Sequence, residues 1–245
     1  MRIAVLCEGK TDAILLSYLL NKKSGWTHTV NGPDEISIKS NDINDESVNW
    51  YKRNEDFLLI CGVGGKDKFK SFFSDLLSEI ILNYTDEMSF DKLVYIIDRD
   101  ENDLDDMKQK IINDLQPICS NIIVGKWTAN SFINKFDARK EIEILGLIIP
   151  PDQVGALETT MLIALSENAY DKNIVDKSIV FVDDIKLDAS KYIGTKRMQL
   201  KAKLSTVFAI ISPQRVFSKI DKLIKSIDWE KYDHIISLFG ELINI

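Results

Sequence analysis

Three continuous apolar runs constrain this chain most: residues 2–6 (Arg-Ile-Ala-Val-Leu), 57–61 (Phe-Leu-Leu-Ile-Cys) and 93–97 (Leu-Val-Tyr-Ile-Ile). Each is too short for a helix and lacks the polar alternation of a half-buried strand. That pattern predicts strands buried on both faces, which requires a parallel sheet covered by helices. After the first run, Ile14, Leu15, Tyr18 and Leu19 recur at helical spacing, with Thr11 or Asp12 placed to cap the helix. After the second, an amphipathic helix is predicted from about Asp67 to Asn83, with Phe69, Phe72, Phe73, Leu76 and Leu77 on its inner side. The third is followed by a predicted helix from about Asp103 to Leu115 and a fourth short strand at Ile122 to Val124.

The repeated strand–helix order predicts an α/β fold, an open parallel sheet with helices on both faces. Residues 24–56 are polar and rich in Asn, Asp and Ser, and read as loops with at most a short extended piece near Ile36 to Ile38. Further on, Glu141 to Ile149 reads as one more strand and Gly155 to Glu167 as a helix, and the chain from about Asp171 to Ile245 reads as mainly helical. A core over residues 1–125 and a C-terminal elaboration over 126–245 are expected to form one integrated unit, since no Pro/Gly-rich linker divides them.

Composition narrows the classes. At 245 residues and 45% hydrophobic content the chain can bury a substantial core. No uninterrupted apolar run of about 18 residues occurs, so no membrane span is expected. Glu8 falls too early for a signal-peptide core, so a cytoplasmic protein is expected. Cys7, Cys61 and Cys119 lie near strand ends at spacings that suit no zinc knuckle, and read as structural, reduced thiols. The net charge of −7 argues against a protein that coats nucleic acid, but not against an enzyme that meets it through metal ions.

Ligands of a parallel α/β sheet gather outside the carboxyl ends of its strands. Glu8 follows the first strand, with Asp12 one helical turn on, and Asp98 and Asp100 follow the third. If the first and third strands are neighbours, Glu8, Asp98 and Asp100 supply the oxygen ligands that a hard cation such as Mg²⁺ or Mn²⁺ requires. The bland alternative is that these acids cap helices in water. The second strand runs into Gly62-Val63-Gly64-Gly65-Lys66. This loop is neither a Walker A loop nor a dinucleotide fingerprint, but Gly64, Gly65 and Lys66 before a helix could receive a phosphate. A plain tight turn is the competing reading. His28, expected in a loop, and His234, on the last helix, join no constellation, and Trp127 and Trp229 read as packing residues. The basic set Lys191, Lys196, Arg197, Lys201 and Lys203 is the best surface for a nucleic-acid backbone, against the alternative of a solvated helix face.

Glu8-Gly9-Lys10-Thr11-Asp12 closing a first strand, a Gly-Gly turn after a second and Asp98-Arg99-Asp100 closing a third resemble the Toprim domain. That domain occurs in type IA and type II topoisomerases, DnaG-type primases and OLD-family nucleases. The resemblance covers about residues 1–125 and is closest to OLD-like and small stand-alone Toprim proteins. It implies that Glu8 is a general acid or base and a metal ligand, and that Asp98 and Asp100 bind Mg²⁺ or Mn²⁺. By the OLD pattern, Glu158 in Gly155-Ala156-Leu157-Glu158 is a second-metal ligand or an ordinary helix glutamate. Asp12 is a ligand or a cap, and Lys201 or Lys203 is the lysine near the domain end, with nothing to separate the two.

The implied activity is metal-dependent hydrolysis of nucleic-acid phosphodiesters. The alternative is a non-catalytic metal- or nucleic-acid-binding module acting with a partner protein, in a defence or mobile-element setting. No tyrosine-bearing topoisomerase domain, primase zinc domain or ATPase domain is recognisable, so a protein partner that supplies targeting is also expected.

Overall fold

The structure is a computed structural model that describes residues 1–34, 36–38, 45–83 and 89–245. Its strands are β1 (Arg2–Cys7), β2 (Thr27–Thr29), β3 (Ser47–Arg53), β4 (Asp56–Gly62), β5 (Lys92–Asp98), β6 (Trp127–Ile133) and β7 (Arg139–Ile149). They form one sheet in the order β2-β3-β4-β1-β5-β7-β6. The expected apolar runs make its parallel centre, β4-β1-β5-β7.

The flanks correct the expectation of a purely parallel sheet. β3 pairs antiparallel with β4, β2 with β3, and β6 with β7. Residues 24–56 are not loop throughout: they contribute β2 and β3, and His28 stands on β2, whereas Ile36–Ile38 forms no strand. β3 was hidden because Trp50 is its one fully buried residue, and its extended form comes from the long register Ser47↔Gly62 to Arg53↔Asp56. The strand expected at Ile122 to Val124 is a turn in which Ile123 makes only an isolated bridge to Lys126. The edge strand β6 follows instead, burying Asn130 and Phe132 alone. Expected loop positions 39–44 lie outside the described residues.

After β4 come a 3-10 turn (Lys66–Lys68), α2 (Phe69–Phe72), a π-helical turn (Phe73–Ser78) and α3 (Glu79–Asn83), in place of one uniform helix. Phe69, Phe72 and Phe73 are buried as expected, while the side chains of Leu76 and Leu77 lie outside the described set. The other helices that matter here are α1 (Lys10–Ser24), preceding these, and α4 (Leu104–Asp114), α5 (Leu157–Leu165), α6 (Ala169–Ile185), α7 (Ser190–Ile193), α8 (Lys196–Ile211), α9 (Ile220–Ile224) and α10 (Asp233–Ile243).

Strand alternation sends successive side chains to two cores. Ile3, Val5, Ile60, Val94 and Ile96 pack under α1, α5, α8 and α10. Ala4, Leu6, Leu59, Tyr95 and Ile97 pack under α2, α3 and α4. Each fully buried aliphatic side chain contributes about 1.5–3 kcal/mol. Trp229 is buried and donates Nε1–H to the Ile224 carbonyl at 2.8 Å, and Trp127 donates to that of Glu241 at 3.2 Å, so both serve packing. Cys7, Cys61 and Cys119 are buried and free. Among the described residues no helix is long and apolar enough to cross a membrane.

Candidate functional site

β1 and β5 are parallel neighbours, yet β1 hands the chain to α1 on one face of the sheet and β5 hands it to α4 on the other. Their departing loops diverge and leave a crevice outside the two carboxyl ends, where open α/β sheets bind ligands. Glu8 and Asp98 stand on its two sides, only 2% and 5% exposed. Close packing shapes the floor. Gly62 pairs with Cys7, the residue before Glu8, across the β4–β1 ladder, and a Cβ there would sit 2.7 Å from Ser47 Oγ and 3.1 Å from the Gly9 backbone.

Each acid is held in its own way. Glu8 Oε1 accepts from the Arg197 guanidinium, while Glu8 Oε2 is buried with no hydrogen-bond partner among the described residues. Asp12 Oδ2 accepts from the Gly9 N–H at 3.1 Å, which closes the first turn of α1. Asp98 Oδ1 accepts from the Leu157 N–H at 2.9 Å and so caps α5, whose own N-cap residue, Ala156, has no side-chain acceptor to offer. Asp100 has left-handed backbone (φ 53°), a region that aspartate tolerates, and exchanges two backbone hydrogen bonds with Gly155 at 2.6 and 2.8 Å. Its Oδ2 accepts from Lys66 Nζ at 2.8 Å.

The carboxylates share one electrostatic field. Burial pushes the Asp12 carboxyl up to about 7, helped by the charges of Glu8 and Glu158 and opposed by its backbone hydrogen bonds. Asp98 is raised well above the usual carboxylate range by burial and then by Asp12, Glu8 and Glu158, with the Leu157 N–H pulling the other way. Burial alone would lower the Arg197 guanidinium, but Glu8, Asp98 and Asp100 raise it on balance.

The structure thus gathers Glu8, Asp12, Asp98 and Glu158 at one crevice and places Asp100 and Lys66 at its rim. Among the described residues no three acidic, histidine or cysteine side chains form a ready ligand group for an ion. The donor set still suits a hard cation, because it is made of carboxylate oxygens in a poorly solvated place and includes one buried oxygen without a partner. Gly64 and Gly65 are both at positive φ in the turn that carries Lys66, and the Gly65 N–H donates to the Glu8 carbonyl at 2.9 Å.

The basic residues separate. Lys203 is bonded to Asp183 at 3.0 Å, Lys196 pairs with Glu101, and Lys191 lies over the Tyr192 ring. Lys201 borders a cavity of about 290 Å³ together with Thr11 and Glu158. Arg197, which the sequence offered only as one member of a basic run, is in contact with the buried Glu8. It also borders a cleft of about 510 Å³ with Asp100, Gly155 and Lys203. Only the fold brings α8 over the end of β1.

The sheet and its crevice define an α/β protein with an acidic site at the point where the connections reverse. The chain belongs to the family DUF3226, described as a protein of unknown function, whose profile matches residues 2–239. Among solved structures, a hypothetical protein from Pyrococcus horikoshii OT3 is similar, with a TM-score of 0.55 and 17% identity over 100% of this chain and 98% of that one. That likeness is one of fold. No curated protein matches the sequence.

Proposed function

We propose that this chain hydrolyses phosphodiester bonds of nucleic acid with the help of Mg²⁺ or Mn²⁺, as its resemblance to Toprim and OLD-like nucleases implies. The observation that carries the reading is the pair Glu8 and Asp98, buried acids on adjacent parallel strand ends, coupled to Asp12 and Glu158 and flanked by Arg197 and Lys66.

Glu8, Asp12, Asp98, Asp100 and Glu158 are the residues that would hold the ions. When bound, the ions supply Lewis acidity and a more acidic water. Glu8 Oε2, buried and unpartnered, is placed to take up a proton from that side of the crevice. Arg197, displaced from Glu8, and Lys66, displaced from Asp100, can each turn to a phosphate oxygen. Gly64 and Gly65 let the backbone come close to it. Lys201, beside Glu158, is the lysine best placed to meet a leaving oxygen.

The purified protein, incubated with plasmid DNA and with RNA in Mn²⁺ or Mg²⁺, is expected to cleave one of them. Glu8→Gln and Asp98→Asn are expected to lower the rate by 10²-fold or more. Cleavage unchanged in both variants would remove these residues from the reaction.

A second reading rests on a separate observation: Glu8 and Asp100 are already neutralised by Arg197 and Lys66. A module of this kind would hold nucleic acid beside a partner protein without cleaving it. Salt-dependent binding with no cleavage in either metal would favour it.

A further inference from the structure

On the far side of α1 from the acidic crevice, between that helix and the β2–β3 ribbon, lies a cavity of about 480 Å³. We propose that it binds a nucleoside phosphate, with the base among Trp26, His28 and Tyr51 and the phosphate between Lys10 and Lys225.

The cavity is built by strand alternation. Ser47, Asn49 and Tyr51 project to the same side of β3, and His28 stands opposite Tyr51 in register on β2. The His28 and Tyr51 rings meet edge to face at 5.6 Å. Ser17 of α1 lines the same cavity as Tyr51. Planar rings held in this way form the wall against which another planar ring packs well. The volume falls within the range of small-molecule sites.

Two buried polar atoms in the lining lack a partner among the described residues: Trp26 Nε1 and Ser47 Oγ. Such atoms are costly to bury unless something satisfies them. An indole N–H can only donate, so the missing partner carries an acceptor, as a base carbonyl or ring nitrogen does. The described lining holds Lys10 and Lys225 and no acid, in a chain of net charge −7. Lys10 presently meets Asp45 at 3.3 Å, an exposed contact that a phosphate can replace. Glu230 approaches the lining too, but its carboxylate is taken by the Tyr18 hydroxyl at 2.6 Å. Acceptor edges, a flat ring and negative charge are combined in a nucleotide. The ligand is either a free nucleotide or one residue of a strand. The inference does not depend on hydrolysis at the crevice.

Calorimetric titration of the full chain in EDTA with AMP, GMP, CMP and UMP, adenosine, inorganic phosphate and a short single-stranded oligonucleotide tests this. At least one nucleoside monophosphate or the oligonucleotide is expected to bind saturably. Removing both exposed amines (Lys10→Ala with Lys225→Ala) is expected to weaken that binding tenfold or more and to leave adenosine unaffected. His28→Ala is expected to weaken nucleotide and adenosine alike. Circular dichroism confirms that each variant is folded. Tighter binding of the oligonucleotide assigns the cavity to a strand, and equal or tighter binding of the monophosphate to a free nucleotide. No saturable binding of any of these ligands overturns the proposal, as does parental affinity in both the lysine and the histidine variants.

Discussion

The Arg197 guanidinium donates to Glu8 Oε1 across 189 positions of sequence and ties the start of α8 to the end of β1. The Glu8 side chain is 3% exposed and that of Arg197 47%, so the acid depends on this partner more than the base does.

Arg197→Ala is therefore expected to lower stability by about 1–3 kcal/mol, because a buried carboxylate is left without its donor. Mn²⁺ should bind the variant more tightly, since it no longer competes with the guanidinium for Glu8. Thermal melts with and without Mn²⁺ check both effects. Identical behaviour of variant and parent would show that the contact is incidental to the site.

Stability of the metal-free protein is expected to fall as pH rises. Asp12 titrates near 3.8 when exposed and near 7 in the fold. Between those values the folded state keeps a proton that the unfolded chain has lost, so each step up in pH favours unfolding. The shift of Asp98 acts in the same direction. Calorimetry at pH 5.5 and pH 8 should give the higher Tm at the lower pH, and Asp12→Asn should shrink the difference by a few degrees. An equal or larger difference in the variant would contradict the burial of this carboxyl.

Gly62→Ala places a methyl group 2.7 Å from Ser47 Oγ and 3.1 Å from the Gly9 backbone. Backbone cannot retreat as a side chain can, so a cost of about 1–3 kcal/mol is expected, together with weaker Mn²⁺ binding as Glu8 is moved. Chemical denaturation measures the first and calorimetric titration the second.

The two lysines of α8 should behave differently. Lys203→Ala breaks the tie to Asp183 between α8 and α6 and is expected to cost about 1 kcal/mol while leaving Mn²⁺ affinity within about twofold. Lys201→Ala should leave the melt unchanged and lower any cleavage rate. Reversed effects would exchange the two roles.

Much of the architecture was readable locally. Ile3 to Leu6, Leu58 to Cys61 and Leu93 to Ile97 are apolar on consecutive positions, which only strands covered on both faces need, and they form the parallel centre. Glu8, Asp98 and Asp100 were legible for the same reason: the turn after such a strand has a fixed place at the sheet's edge. β2, β3 and β6 were not legible. Their residues are mixed in polarity, and what makes them extended is a neighbour distant in sequence, as Trp50 is held opposite Leu59.

The sequence alone determined that acids would follow the ends of buried central strands, because hydrophobic burial along the chain decides which residues become such strands; the sheet order made two of those ends neighbours. Tertiary structure alone decided which cation meets them. A basic run on a helix looks alike at every position, and only the packing of α8 over β1 singles out Arg197 while turning Lys203 toward Asp183. The same holds for the cavity beside α1. Trp26, His28, Ser47 and Tyr51 mean little along the chain, and they become one surface only where β2 and β3 pair and face the helix.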